Sequence, residues 1–337
     1  MRILLTSVGR RSYLVDYFKA ALKLGDEVHV ANSTKLSPAF MIADKAVVTP
    51  LIYDPEYIPF LMHYCYENKI NAIIPLFDID LPILAANKDN FIKIGVKVIV
   101  SSIDVIDICN DKLKTFNFLV DNHFATPKTF IDQKELRFAI NNGEVNYPLI
   151  IKPRWGMGSI GLYQVDNDEE LQVLINKANR DIANTYLKYQ NRIDLEKSVI
   201  IQEKLEGQEY GLDIINDLNG NYQTTVVKIK HAMRSGETDC AETCKNAMLE
   251  NIGEQIAEKL KHIANLDVDA FIVNEKVYIL EMNARFGGGY PFTHQAGVNL
   301  PKAIVHWLNN ESANPSLFKV KTGMIFQKDI KITEIKR

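Results

Sequence analysis

The sequence predicts a protein of α/β and α+β character: a parallel sheet covered by helices in the first 110 residues, then two lobes rich in paired strands. Three observations predict it. Short apolar runs alternate with longer amphipathic ones over the first hundred residues. The pattern changes near residue 110, where an amphipathic helix runs up to Pro127. Beyond it, apolar strands return on themselves through short turns. A length of 337 residues suits two or three packed lobes better than one. The expected lobes are 1–110, 111–200 and 201–337.

Arg2–Thr6 reads as a buried strand and Ser7-Val8-Gly9 as the turn after it. Tyr13, Leu14, Tyr17, Phe18, Ala21 and Leu22 then recur at helical spacing. Gly25 is placed to stop that helix, because glycine tolerates the left-handed conformation past a helix end. Residues 27–31, 71–75 and 96–100 read as strands, and Tyr57–Asn68 as a helix. Such alternation implies a parallel sheet buried on both faces, a Rossmann-like arrangement. No G-x-G-x-x-G follows the first strand, and Asn32 stands where an acidic ribose ligand would follow the second. A nicotinamide-dependent oxidoreductase is therefore disfavoured.

Ligands of parallel sheets bind beyond the carboxyl ends of the strands. Two loops qualify, 7–11 and 76–80. Arg10 and Arg11 either hold an anionic substrate group, since guanidinium pairs bidentately with oxyanions, or are solvated helix-start residues. Asp78 and Asp80 read most simply as a helix cap and a solvated charge. Asn110-Asp111-Lys112 opens the next helix, with Leu113, Phe116, Leu119 and Val120 on one face. Proline then ends it. With no low-complexity linker, the lobes should pack directly on one another.

Composition removes several classes. The formal net charge is −3, so nothing advertises nucleic acid or an anionic membrane as a partner. No stretch is long and apolar enough to span a bilayer, and the start of the chain does not read as a signal peptide. Four cysteines without a paired framework suit a reducing cytoplasm. Cys240 and Cys244 lie four apart downstream of His231, but no second Cys/His pair has zinc spacing.

Four clusters carry chemistry. Residues 147–153 form a strand ending at Lys152, followed by a loop with Gly156, Gly158, Ser159 and Gly161, whose backbone N–H groups can approach phosphate oxygens. It is not a Walker A loop, and its plainer reading is a hairpin with 162–165 as the returning strand. Residues 198–213 join two strands through a charged hinge, where Glu203 and Glu209 can accept hydrogen bonds from a base or ribose; a solvated turn is the alternative. Asp269 opens one strand and Glu281 closes its neighbour, with Asn283 and Arg285 continuing on the same face as Glu281. Hard oxygen donors in this pattern suit Mg²⁺ with nucleotide phosphates. The run Gly287-Gly288-Gly289 follows, its N–H groups free to face an oxyanion. Finally, Lys228 and Lys230 share a strand face, and Arg234 and Glu237 occupy a loop where positive charge could meet a transferring phosphoryl group.

In this order the motifs Asp111-Lys112, Ile151-Lys152-Pro153, the 156–161 loop, Gln202-Glu203-Lys204 with Glu209-Tyr210, and Glu281-Met282-Asn283-Ala284-Arg285 resemble the ATP-grasp superfamily, in its carbamoyl-phosphate synthase large-subunit-like branch. The resemblance spans nearly the whole chain and implies a pre-ATP-grasp sheet followed by a two-lobed nucleotide clamp. It implies ATP as cofactor, with Lys112 and Lys152 on its phosphates, Glu203 and Leu205 at the adenine hinge and Glu209 on the ribose. It implies Mg²⁺ or Mn²⁺ on Asp269, Glu281 and Asn283, and Arg285 facing the transferred phosphate. With a single copy of the module, and Arg-Phe-Gly-Gly-Gly-Tyr after the metal motif, the chain looks more like a stand-alone ligase of that branch than a carbamoyl-phosphate synthase. The expected activity joins a small-molecule carboxylate to an amine through an acyl phosphate, with Lys152, Arg285 and Arg234 stabilising the transfer. Glu237 and His294 are candidates for a general base. A carbamoyl-phosphate half-reaction and a non-catalytic nucleotide binder are the alternatives, and a homodimer is what the resemblance implies.

Overall fold

The structure, a computed structural model, describes residues 1–192 and 194–335. Its first sheet contains β1 (Arg2–Thr6), β2 (Glu27–Asn32), β3 (Lys45–Val48), β4 (Ala72–Pro75) and β5 (Lys97–Val98), all parallel, in the order β3-β2-β1-β4-β5. Alternate residues of β1 feed two cores. Ile3 and Leu5 pack with Phe18, Val28 and Val30, and Leu4 packs with Leu61 and Ile73. Because β1 sits between β2 and β4, the loops after β1 and β4 emerge side by side, with Thr6 opposite Pro75. That crevice is the binding position of such sheets.

Three expectations change here. The expected strands omit the mostly exposed edge strand β3, and the expected 96–100 strand pairs only at Lys97–Val98. The first helix, Ser12–Ala21, ends before Gly25, which instead takes φ +91° in the turn into β2. Val120 faces solvent, while Leu119 carries the helix Lys112–Asp121 into the core.

The second sheet contains β6 (Thr129–Phe130), β7 (Leu149–Pro153), β8 (Tyr163–Val165) and β9 (Val199–Glu203), antiparallel in the order β6-β9-β7-β8. The third contains β10 (Gln208–Asn216), β11 (Tyr222–Arg234), β12 (Glu237–Cys244), β13 (Ala264–Val273), β14 (Lys276–Asn283) and β15 (Ile325–Gln327), in the order β14-β13-β10-β11-β12-β15. Helix Ala247–Leu260 backs this sheet through Leu249, Ile256 and Ala257.

Packing fuses the first and third sheets into one body. Leu4 and Ile73 of the first, with Phe91 of the helix Lys88–Lys93, share a core with Leu212, Val268 and Met282 of the third, and Val8 and Phe18 share another with Phe286 and Tyr290. The middle sheet has its own smaller core, in which Leu149, Ile151, Leu171 and Ala178 meet. Strand β9 runs past the expected lobe boundary at 200, and Leu119 lies in the body core. We therefore propose drawing the middle lobe from β6 to β9 instead of over 111–200. Among the described residues no helix is long and apolar enough to cross a membrane.

Candidate active site

A cleft of about 590 Å³ opens where the three sheets meet. Its floor is the end of the β13–β14 hairpin. The strands turn through Asn274 and Glu275, both at positive φ, and their register sets Asp269 opposite Glu281 and Asp267 opposite Asn283. Residues two apart on a strand share a face, so the three acids and the amide converge on one side of the sheet.

Each acid of the floor is met by a cation. Lys230 of β11 reaches Asp269 at 2.6 Å and Glu209 of β10 at 2.7 Å. Burial would lower the Lys230 ammonium, but these two carboxylates outweigh it and hold it above its ordinary value. Lys112 lies 3.4 Å from Glu281 and donates to the Gly156 carbonyl at 2.6 Å. Burial would raise Glu281, yet Lys112, Lys152 and Arg285 together keep it below the usual range. Lys152, 5% exposed, has burial as its dominant influence and is pushed down to about 8. Arg285 stands between two carboxylates, 3.0 Å from Asp267 and 3.0 Å from Asp78 of the first lobe. The Asp78 contact is out of line for a hydrogen bond, so both partners keep unused capacity. Burial raises Asp267 to about 6, against the pull of Arg285.

The donor set fits a hard divalent cation. Asp269, Glu281 and Asn283 supply two carboxylates and an amide oxygen from neighbouring strands, and lysine ammoniums now balance those carboxylates. Mg²⁺ takes one or two carboxylates and completes its shell with water and phosphate, so this partial set suits it or Mn²⁺.

The roof is the loop between β7 and β8. The loop tops a hairpin, as its plainer reading has it, and also lines the cleft through Gly156, Gly158 and Ser159. Its base is fixed by Arg154, which donates to both oxygens of Asp111 at 2.8 and 2.7 Å, and by Asn191, which donates to the Trp155 carbonyl at 2.8 Å. Its tip touches the β11–β12 turn. A Cβ on Gly236, which has φ +75°, would come within 2.7 Å of the Gly158 backbone. Beneath, a Cβ on Gly287 would come within 2.1 Å of the Asp267 carboxyl group, so only glycine admits that side chain beside Arg285.

The cleft thus gathers Lys112, Lys152, Gly156, Gly158, Ser159, Glu209, Asp269, Glu281, Asn283 and Arg285. Four expected residues do not line it. Gly161 packs against Pro153 at the loop base, Glu203 accepts the Lys128 N–H at 3.2 Å, and Leu205 is half-buried in the link to β10. Arg234 is exposed at the end of β11, paired with Asp239. Asp78 and Asp80 are not the cap and solvated charge expected. Asp78 is buried against Arg285, and Asp80 is fully buried, accepting from Thr6 at 2.6 Å, Ser7 at 2.7 Å and Tyr57 at 2.5 Å. Sequence reading passed over Asp267, although it lies two residues before Asp269 on the same strand face. Of the two candidate bases, Glu237 lines the cleft, while His294 stacks on Tyr17 with ring centroids 3.6 Å apart and does not. Cys240 and Cys244 lie on β12, and His231 pairs with Glu242 at 3.3 Å.

A cleft between two antiparallel sheets, with an acid floor and a glycine roof, defines a class, and family comparison agrees. A model described as an ATP-grasp domain matches residues 109–289, and one described as a PylC-like N-terminal domain matches residues 3–99. The chain belongs to the ATP-grasp family of ATP-dependent enzymes. Among solved structures it is similar to biotin carboxylase from Campylobacter jejuni in complex with βγ-ATP (TM-score 0.74, 15% identity, 96% of this chain and 74% of that one). It is also similar to the biotin carboxylase domain of 2-oxoglutarate carboxylase from Hydrogenobacter thermophilus with MgADP and bicarbonate (0.73, 16%, 96% and 73%). A third similar structure is an L-amino acid ligase from Bacillus licheniformis (0.67, 17%, 91% and 75%). At these identities the likeness is one of fold.

Proposed function

We propose that the protein is an ADP-forming ligase that activates a small-molecule carboxylate as an acyl phosphate and passes the acyl group to an amine. The observation that carries this reading is the meeting, in one cleft, of the Asp269–Glu281–Asn283 floor, the buried Lys152 and the 156–161 loop. ATP lies between the middle sheet and the third sheet, its phosphates under the loop and against Lys112 and Lys152, its ribose at Glu209. Asp269, Glu281 and Asn283 would hold Mg²⁺ or Mn²⁺, which would supply neutralisation of phosphate charge there.

A carboxylate oxygen of the acid attacks the γ-phosphorus, the bond to the β,γ-bridging oxygen breaks, and ADP leaves. The amine nitrogen then attacks the acyl carbon, phosphate departs with the bonding pair, and the amine proton passes to solvent or to Glu237. Catalysis of this kind is positioning and charge neutralisation. Lys152 and Arg285 face the phosphoryl oxygens, and the contact between Gly158 and Gly236 keeps water from the acyl phosphate. The likeness to an L-amino acid ligase supports an amine acceptor.

The test is ADP release from ATP and Mg²⁺ across pooled carboxylates, each with and without pooled amines. Release that needs one acid and rises with one amine is the expected result. Release with bicarbonate alone points to the carbamoyl-phosphate reaction. Confirmed ATP binding with no ADP under any mixture favours a non-catalytic binder.

A further inference from the structure

The ligase reading accounts for the nucleotide end of the cleft and, apart from Glu237, leaves the end nearest the first sheet unassigned. Arg10, Arg11, Phe77, Asp78, Tyr186 and Glu237 line that end. Among the described residues Arg11 shares with Lys152 the lack of a carboxylate oxygen within 4 Å, in contrast to three other cations deeper in. Lys112, Lys230 and Arg285 each have a carboxylate oxygen within 4 Å. Arg11 has its Nη1 donating to the Leu76 carbonyl at 2.7 Å, and its Nε is buried with no acceptor among the described residues. A buried N–H without an acceptor is costly, and here it belongs to a guanidinium already fixed in orientation by Leu76. Of the neighbouring groups, Asp78 pairs with Arg285 and Glu237 with Lys328 at 3.2 Å; Arg11 adds its own pull on Glu237 and lies beside the Tyr13 hydroxyl, and none of these gives its Nε an acceptor.

The walls beside Arg11 are aromatic. Phe77 from the first lobe and Tyr186 from the middle lobe meet edge to face, with centroids 5.9 Å apart at 64°. We propose that Arg11 anchors the carboxylate of a non-nucleotide substrate whose body is apolar and of aromatic size, held against the Phe77 and Tyr186 rings. The free edge of a guanidinium matches one planar carboxylate. Asp78 and Glu237 nearby disfavour a dianion such as a phosphate ester. The proposal rests on the ligase reading for its use of a carboxylate substrate, and it makes Arg11 and Phe77 determinants of specificity.

The test is calorimetry with the full chain, titrating 3-phenylpropanoate, its neutral amide and acetate. Each is run with and without Mg²⁺ and a non-hydrolysable ATP analogue. The expected result is 3-phenylpropanoate binding at least about tenfold tighter than acetate or the amide. Arg11→Met should bring its affinity down to that of the amide, and Phe77→Ala should bring it down to that of acetate. Arg11→Lys, which keeps the charge but not the two-donor edge, should fall between and serves if the methionine variant does not fold. Equal binding of the amide, unchanged binding by Arg11→Met and Arg11→Lys, or no binding of 3-phenylpropanoate overturns the proposal. The heat of the analogue reports the nucleotide site separately, so loss of the ligase reading is seen without hiding the carboxylate result.

Discussion

The body and the middle lobe hold their polar groups in different ways. In the body, side chains are fixed by strand register and by cores that run through two sheets, so Asp269 and Glu281 face each other because the hairpin gives them no other place. The middle lobe has a core of its own and offers the cleft mostly backbone, carried on a loop pinned at its base by Arg154 and Asn191. A rigid floor can preset charge, whereas a separately packed roof can move over a nucleotide and exclude water. On this view, substitutions in the floor should remove chemistry and substitutions in the roof should change access.

The largest effect should come from the floor. Glu281→Ala removes a carboxylate that faces Asp269 and meets Lys112. ADP release should fall by at least about 100-fold, the loss typical of an electrostatic contact to the transition state. Activity close to wild type would break the assignment of the floor. Next is the point where roof and body touch. Gly236→Ala puts a Cβ 2.7 Å from the Gly158 backbone at a φ of +75°, where two backbones have no room to give. The roof should close poorly, raising KM for ATP by about tenfold while the unfolding midpoint of the body changes little. A kcat loss with unchanged KM would argue that the two glycines act on chemistry instead.

Asp78→Asn tests a bridge between lobes. Asp78 and Asp267 together hold Arg285, and removing one charge should loosen the guanidinium without touching the nucleotide phosphates. The expectation is about a tenfold fall in kcat with ATP affinity kept, measured by steady-state kinetics and calorimetry side by side.

These cases also show what the sequence made legible. The floor could be read because a hairpin with period-2 alternation turns spacing into geometry: Asp269, Glu281 and Asn283 follow from counting along two strands. The Arg285 bridge could not. Asp78 and Arg285 are distant in sequence, and a lone aspartate before a helix looks like a cap until the fold buries it. Glu203 and Leu205 are harder to place from sequence, since a charged hinge looks the same whether its side chains turn into the cleft or, like Glu203, satisfy a backbone N–H across the middle sheet. The parallel sheet was legible at its buried centre and missed at the exposed β3, where nothing alternates.

Lys152 gives a pH test with two opposing trends. Burial pushes it down to about 8, whereas an unfolded lysine titrates near about 10.4. Between those values the unfolded chain holds the extra proton, so stability should rise with pH across that window. On the proposed placement of the ATP phosphates against Lys152, ATP affinity should fall as pH rises through 8. Lys152→Met should abolish both trends, read by denaturant melts and by calorimetry. A wild-type ATP affinity that is flat from pH 7 to 9 would mean that Lys152 does not contact the phosphates.

The smallest effect sharpens the comparison within a single strand. Lys230 and Arg234 both lie on β11, four residues apart, and a sequence reader gives them similar roles. Their surroundings separate them. Lys230 is 5% exposed and compensates two floor carboxylates, whereas Arg234 projects from the strand end and pairs with Asp239 in solvent. Removing Lys230 leaves Asp269 and Glu209 facing each other without their shared cation, which costs far more than the loss of a surface ion pair. An exposed pair such as Arg234–Asp239 contributes about 0–1 kcal/mol. Arg234→Ala should therefore leave kcat within about twofold of wild type, and Lys230→Met should lose most of it. If Arg234→Ala instead costs as much as Lys230→Met, the β11–β12 turn must swing inward during turnover and carry Arg234 to the phosphoryl group, and the body would then have a moving part of its own.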